Sequence, residues 1–260
     1  MSHISFSELK NWNTCAFYHK LTYIDRLVAF QGNEYTAFGT AVHDVCEKLL
    51  LKESIKPEEL FLERFREELK SLPKDLDIRK KLAVDMKSQA EALLPHIMPA
   101  VDEYFDDYEV VSTEEPIMIP IEEFSDAEYN FKGFIDLVVK TSDGKHHIID
   151  WKTCSWGWDA RKRAEPMIIY QLIYYKHYYA KKHNIDPDMI EVHFGLLKRT
   201  AKKNHVELFK ITSGKKRTEN AIKLLAAALY NITNKKYTKN KLACHGPFGP
   251  CEFYNTEHCT

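Results

Sequence analysis

The chain has 260 residues, 44% of them apolar and 29% charged, with a formal net charge of −1. These values describe a globular protein that can bury a sizeable core, as one large domain or one domain with a helical addition. They argue against a general polyanion-binding protein, and no apolar run approaches the roughly 18 residues of a membrane span.

Met1-Ser2-His3-Ile4-Ser5 lacks the basic and apolar regions of a secretory signal. The expectation is a cytoplasmic protein (the host cytoplasm if a phage encodes it), in which six cysteines are reduced thiols or metal ligands rather than disulfides. Basic residues cluster late, at Lys198-Arg199, Lys202-Lys203, Lys215-Lys216-Arg217 and Lys235-Lys236. Such runs are commonly solvated faces, but they can also hold nucleic acid.

In chain order, Ser5 to Asn13 reads as a short helix with Ser5 as N-cap and Glu8 completing a capping box. Phe38 to Leu51 is a second helix, with an apolar stripe of Val42, Val45, Cys46, Leu49 and Leu50. Pro57 opens a third. Residues 77–108 are helical but carry Pro95 and Pro99, which should kink or split the element. Strands follow at Val110-Val111, Ile117–Ile119, Tyr129–Val139 and His146–Thr153. A helix over Pro166–His183, strands at Ile190–Leu197 and Val206–Ile211, and a helix over Arg217–Asn231 complete the chain. The order predicts a single mixed α/β domain over residues 1–260, with a helical insertion over 55–108 and a cysteine-rich segment over 244–260.

Two apolar runs carry charges where burial makes charge expensive: Gly133-Phe134-Ile135-Asp136 and Ile149-Asp150-Trp151-Lys152. Asp143-Gly144 between them is a hairpin signal. A two-residue turn would send Asp136 and Asp150 to opposite faces. A three-residue loop with a left-handed Gly144 pairs Thr141 with Lys145 and sets Asp136 opposite Asp150. The second arrangement is expected. It gathers Asp136, Asp150 and Lys152 into a hard-ligand site for Mg²⁺ or Mn²⁺, with lysine beside it; an ordinary surface hairpin with a salt-bridged lysine is the competing reading. Gly39-Thr40-Ala41-Val42-His43 and the pair Gln171/Tyr175 put further polar groups on helices.

Taken together and in order, these motifs resemble the RecB-type branch of the PD-(D/E)XK nucleases. Ser5-Phe6-Ser7-Glu8-Leu9 looks like its opening helix, and Phe38 to His43 like its histidine motif. Gly133–Asp136, Asp150-Trp151-Lys152 and Gln171 to Tyr175 match the remaining three. The resemblance implies a restriction-endonuclease-like core with a central mixed sheet flanked by helices. It implies metal ligation by His43, Asp136, Asp150 and the Trp151 backbone carbonyl, with Lys152, Gln171 and Tyr175 completing the catalytic group. The family's proline before the first aspartate is replaced by Ile135. Glu114 or Glu115 could supply an upstream acid.

Cys15, Cys244, Cys251 and Cys259 offer four thiolates, enough for a [4Fe–4S] cluster or a zinc ion. The arrangement is similar to iron–sulfur members of that branch, including AddB and CRISPR-associated exonucleases, but its late spacings are wider; unligated thiols are the third possibility. Trp156 and Trp158, with Arg161, Lys162 and Arg163 behind them, suit base stacking and phosphate contact, or core packing. The expected function is a Mg/Mn-dependent DNA exonuclease acting on ends, with single-stranded DNA among its compatible substrates, in recombination, repair or phage DNA processing. An endonuclease of the same fold and a non-catalytic DNA-end-binding scaffold are the alternatives. A homo-oligomer or a recombination partner protein is compatible with any of them.

Overall fold

A computed structural model describes residues 2–27, 31–246 and 249–259. Strand β1 (Ser2–Ser5) leads into α1 (Phe6–Thr14). Ser5 caps α1 by accepting the Glu8 N–H at 3.2 Å. The reciprocal half of the expected capping box is absent, because the Glu8 carboxylate meets the buried His19 at 2.8 Å instead. A four-residue helix α2 (Ala16–His19) continues as a π-turn over Lys20–Ile24.

Helix α3 (Glu34–Leu50) starts four residues before the apolar stripe suggested, since Asn33 and Thr36 form a complete capping box. Pro57 occupies the first turn of α4 (Pro57–Ser71). The next region splits at Pro95 into α5 (Lys80–Leu93), a 3₁₀ turn over Leu94–His96, and α6 (Ile97–Phe105). Pro99 lies in the first turn of α6, where its missing N–H breaks no helical bond.

The two expected short strands before residue 120 are one element, β2 (Tyr108–Pro120). Then come β3 (Tyr129–Thr141), β4 (His146–Cys154), the short α7 (Ala160–Arg163), α8 (Pro166–His183), β5 (Ile190–Lys198), β6 (Val206–Ile211) and α9 (Lys215–Thr233). β2 pairs with β3.

Contacts group the chain into two compact units: Met1–Gln31, Ile117–Gly133 and Gly214–Thr260 in one, Gly32–Pro116 and Phe134–Ser213 in the other. The second unit is a mixed sheet in the order β3-β4-β5-β6, with only β4 and β5 parallel. One sheet face, carrying Leu137, Val139, Ile149 and Trp151, shares a single core with Phe38, Val42, Val45, Phe61, Met86 and Val101. The helices of residues 57–105 are thus part of this core. Helix α8 contacts β4 and β5, burying Ile169, Leu172, Ile173 and Tyr175. Gly195 faces Trp151 across the parallel ladder, and a Cβ there would lie 2.2 Å from the indole ring.

In the first unit β1 runs parallel to the start of β3, aligning Ile4 with Phe131, both fully buried. Helix α1 contacts α9. The C-terminal segment returns to the α1–α2 junction: the Phe17 N–H donates to the Thr238 carbonyl, and the Asn240 amide to the Thr14 carbonyl.

Candidate active site

The β3–β4 hairpin sets the geometry. Lys140 pairs with His146, and the register runs on to Leu137 and Ile149, so the next step opposes Asp136 to Asp150. The loop is the three-residue form: Thr141 N–H donates to the Lys145 carbonyl at 3.1 Å, Gly144 N–H to the Thr141 carbonyl at 2.8 Å. Gly144 has φ +83°, a conformation glycine adopts without a Cβ clash.

Asp136 Oδ2 accepts the Trp151 N–H at 2.6 Å and lies 3.7 Å from His43 Nδ1. Asp150 is 2% exposed. Lys152 Nζ sits 2.5 Å from Asp150 Oδ2 as an ion pair, but no directed hydrogen bond reaches that buried oxygen. Gln171 Nε2 donates to the Tyr175 hydroxyl at 3.2 Å. Burial first, and the Asp150 charge next, push the Tyr175 pKa up, so the phenol keeps its proton. The hairpin, α3 and α8 therefore bring together His43, Asp136, Asp150, Lys152, Gln171 and Tyr175.

Burial pushes the Asp136 carboxyl up to about 6, against the pull of Lys152 and the Trp151 N–H. Asp150 is likewise lifted to about 6 by burial, with Lys152 opposing and Asp136 repulsion adding. Burial, then the Lys152 charge, hold the His43 imidazole down at about 4. The His43 imidazole is therefore neutral near pH 7.

Of the two upstream acids, Glu114 is the one whose carboxyl feels the Asp136 and Asp150 charges, although its residue is solvent-exposed. Burial, then Asp136, Glu47, Asp150 and Asp44, raise its pKa to about 7. Its backbone has φ +46°, in the left-handed region that costs a non-glycine residue about 1–3 kcal/mol. Glu115 is instead held by Lys182 at 2.6 Å and His183 at 2.9 Å.

Three mutually repelling carboxyls with one lysine, an undirected buried oxygen and a neutral imidazole fit a hard divalent cation. His43, Asp136 and Asp150 would hold Mg²⁺ or Mn²⁺, and the Trp151 peptide lies between the two strand carboxylates.

The aromatic and basic segment divides. Trp156 is 76% exposed, whereas Trp158 is buried against Phe194 and Phe209, with Lys162 Nζ over its ring. Arg163 is committed to structure: it donates to the Trp158 carbonyl and to Glu207 Oε1, and stacks on Phe209. Core packing thus describes Trp158 and Arg163, leaving Trp156, Arg161 and part of Lys162 facing solvent. Lys198 pairs with Glu207, and Arg199 bonds Gln89 and Ser155.

Cys15, Cys244, Cys251 and Cys259 are all reduced and all belong to the first unit. Asn240 links the first two: its N–H donates to Cys15 Sγ at 3.4 Å, and its carbonyl lies 3.9 Å from Cys244 Sγ. Cys251 N–H donates to the Cys244 carbonyl. Burial, with smaller effects from Glu252, Cys244 and Cys259, raises the Cys251 thiol pKa. Among the described residues no three of these sulfurs lie within 4.8 Å of one another. Tetrahedral zinc, at about 2.3 Å per Zn–S bond, needs them about 3.8 Å apart.

The PD-(D/E)XK nuclease superfamily model matches residues 3–255. This chain belongs to that superfamily. The solved structure of a Eubacterium rectale protein with a provisional exonuclease name superposes with a TM-score of 0.58 at 13% identity, covering 93% of this chain and 85% of that one. That likeness shows the fold. The structure of SSO0001 aligns at a TM-score of 0.36 and 11% identity, over 83% of this chain and 84% of that one, too low to carry an argument. No curated protein matches the sequence. Among the described residues of this nuclease, no helix is long and apolar enough to cross a membrane.

Proposed function

We propose that this nuclease is a Mg²⁺- or Mn²⁺-dependent deoxyribonuclease that hydrolyses DNA from its ends. The observation carrying the reading is the opposition of Asp136 to Asp150 with Lys152 beside them, in a chain of this superfamily. A divalent cation at such a site supplies Lewis-acid chemistry, making water a nucleophile near neutral pH and neutralising phosphate charge.

The chain's own groups position that chemistry. The Lys152 ammonium is held by Asp150, where it orients the attacking water and balances charge growing on the phosphate. Tyr175 keeps its proton and, with Gln171, presents hydrogen-bonding groups beside Asp150. Trp156 and Arg161, exposed after the catalytic strand, are the proposed contacts to DNA.

We further propose that Cys15, Cys244, Cys251 and Cys259 hold a [4Fe–4S] cluster. The support is that Asn240 lies against both Cys15 and Cys244, and that the Cys251 thiol feels Cys244 and Cys259.

Incubating linear and closed-circular DNA, single- and double-stranded, with Mn²⁺ tests the end dependence. Degradation of linear DNA alone supports the exonuclease; cutting of closed circles favours the endonuclease, and intact DNA throughout leaves the scaffold reading.

A further inference from the structure

A second set of ligating side chains sits three residues back along β4. Strand alternation puts it on the opposite face from Asp150. His147 on β4 pairs with Glu191 on β5, and His193 is two residues further along, so all three share that face. His147 Nδ1 lies 3.1 Å from His193 Nε2 and 3.8 Å from Glu191 Oε2. The two histidines are 7% and 2% exposed, and they border an open depression of about 420 Å³.

The outer nitrogens are both engaged. Thr141 Oγ1 lies 2.6 Å from Asp143 Oδ1 and 2.9 Å from His147 Nε2. A carboxylate only accepts, so the single Thr141 hydroxyl proton goes to Asp143. Thr141 must then accept from His147, which fixes the Nε2–H tautomer and leaves the Nδ1 lone pair to accept the His193 Nε2–H at 3.1 Å, a proton that a metal ion would displace. Glu191 Oε2, a second potential ligand atom, lies 3.8 Å from the same Nδ1. Glu191 divides its work: Lys145 and Lys210 reach Oε1 at 3.3 and 2.7 Å, leaving Oε2 toward the histidines. On the far side the Tyr104 hydroxyl lies 3.2 Å from His193 Nδ1. A ligating histidine held through its other nitrogen in this way is the usual support of a metal centre.

We infer that His147, His193 and Glu191 form a nitrogen-rich binding site for a divalent transition metal of zinc type, with a fourth position open to the depression. Two imidazoles bound at about 2.0–2.1 Å to one tetrahedral zinc hold their nitrogens roughly 3.3 Å apart, close to the separation here. Binding conserves protons: the His193 proton moves from Nε2 to Nδ1, and Tyr104 turns from donor to acceptor. The site joins the β4–β5 ladder to α6 through Tyr104 and to the hairpin loop through Thr141. It does not depend on the nuclease reading.

The test is a Co²⁺ titration of the Asp136→Asn/Asp150→Asn chain, followed by visible absorption and displaced with Zn²⁺. The expected result is one Co²⁺ with d–d bands and no thiolate charge-transfer band. Affinity should fall at least tenfold in Glu191→Gln and about 10- to 100-fold in Tyr104→Phe. Tyr104→Phe keeps all three ligands and the ring packing, so it decides the matter if Glu191→Gln fails to fold. Absence of such bands, bands that always carry thiolate charge transfer, or binding unchanged in Tyr104→Phe overturns the inference.

Discussion

Asp136 and Trp151 are joined through the backbone: the Asp136 carboxylate accepts the Trp151 N–H at 2.6 Å. Trp151 is the residue between Asp150 and Lys152, and its ring is wedged where Gly195 leaves room. The first carboxylate is therefore tied to the peptide that positions the second carboxylate and the lysine. Any change to the Trp151 packing should reach the chemistry through this bond.

Burial lifts the Asp136 pKa to about 6, against about 3.9 in an unfolded chain. Between those values the folded protein binds more protons than the unfolded one. The protonated carboxyl favours folding below about pH 4, and that stability is lost as pH rises through 6. Asp136→Asn removes the penalty. Without metal, the variant should match wild type near pH 4 and exceed it at pH 7 by up to about 3 kcal/mol. Urea unfolding at both pH values checks this; a variant weaker than wild type at pH 7 contradicts it.

Gly195→Ala should be severely destabilising, because its Cβ would meet the Trp151 ring carbons at 2.2 Å. Overpacking of this kind costs about 1–3 kcal/mol or more. Thermal unfolding should show a large loss of Tm, with DNA cleavage falling in parallel. A variant with wild-type stability would mean that the ring moves freely.

The strand register at this candidate site was legible in the sequence because its constraints are local. Asp143-Gly144 limits the loop to a few forms, and side-chain alternation then decides which form opposes Asp136 to Asp150. The start of α3 was missed because Asn33 and Thr36 lie before the apolar stripe. Strand β1 was missed because only Ile4 in its four residues is buried. Glu8 was assigned to a cap, but a histidine eleven residues away competes better for it. His147, Glu191 and His193 showed no motif, since only the parallel β4–β5 register brings them together. Trp158 and Arg163 looked like DNA contacts because sequence shows charge and aromaticity, but not that Glu207 and Phe209 are waiting for them.

Glu114, raised to about 7, should govern the pH dependence of cation binding. The cation binds the deprotonated carboxylate, so wild-type affinity for Mn²⁺ should climb as pH rises through 7, by about tenfold per unit below that pKa for one released proton. In Glu114→Gln this part of the profile should flatten. Calorimetric titration at pH 6 and 8 reads both; identical profiles would remove Glu114 from the site.

Anaerobically purified protein should contain about four iron and four sulfide per chain, and Cys251→Ser should lose them. A colourless, zinc-loaded protein would replace the cluster with a structural zinc.

The central claim is that Asp136, Asp150 and Lys152 form a metal-dependent phosphodiesterase centre. Its most direct test is the rate of linear DNA hydrolysis with Mn²⁺ in wild type and Lys152→Ala, beside Mn²⁺ affinity for both. The account predicts metal-dependent cleavage by wild type and a loss of about 10²–10³-fold in Lys152→Ala with Mn²⁺ still bound. Wild-type protein that binds Mn²⁺ and leaves DNA intact, or a Lys152→Ala variant with full activity, would contradict it.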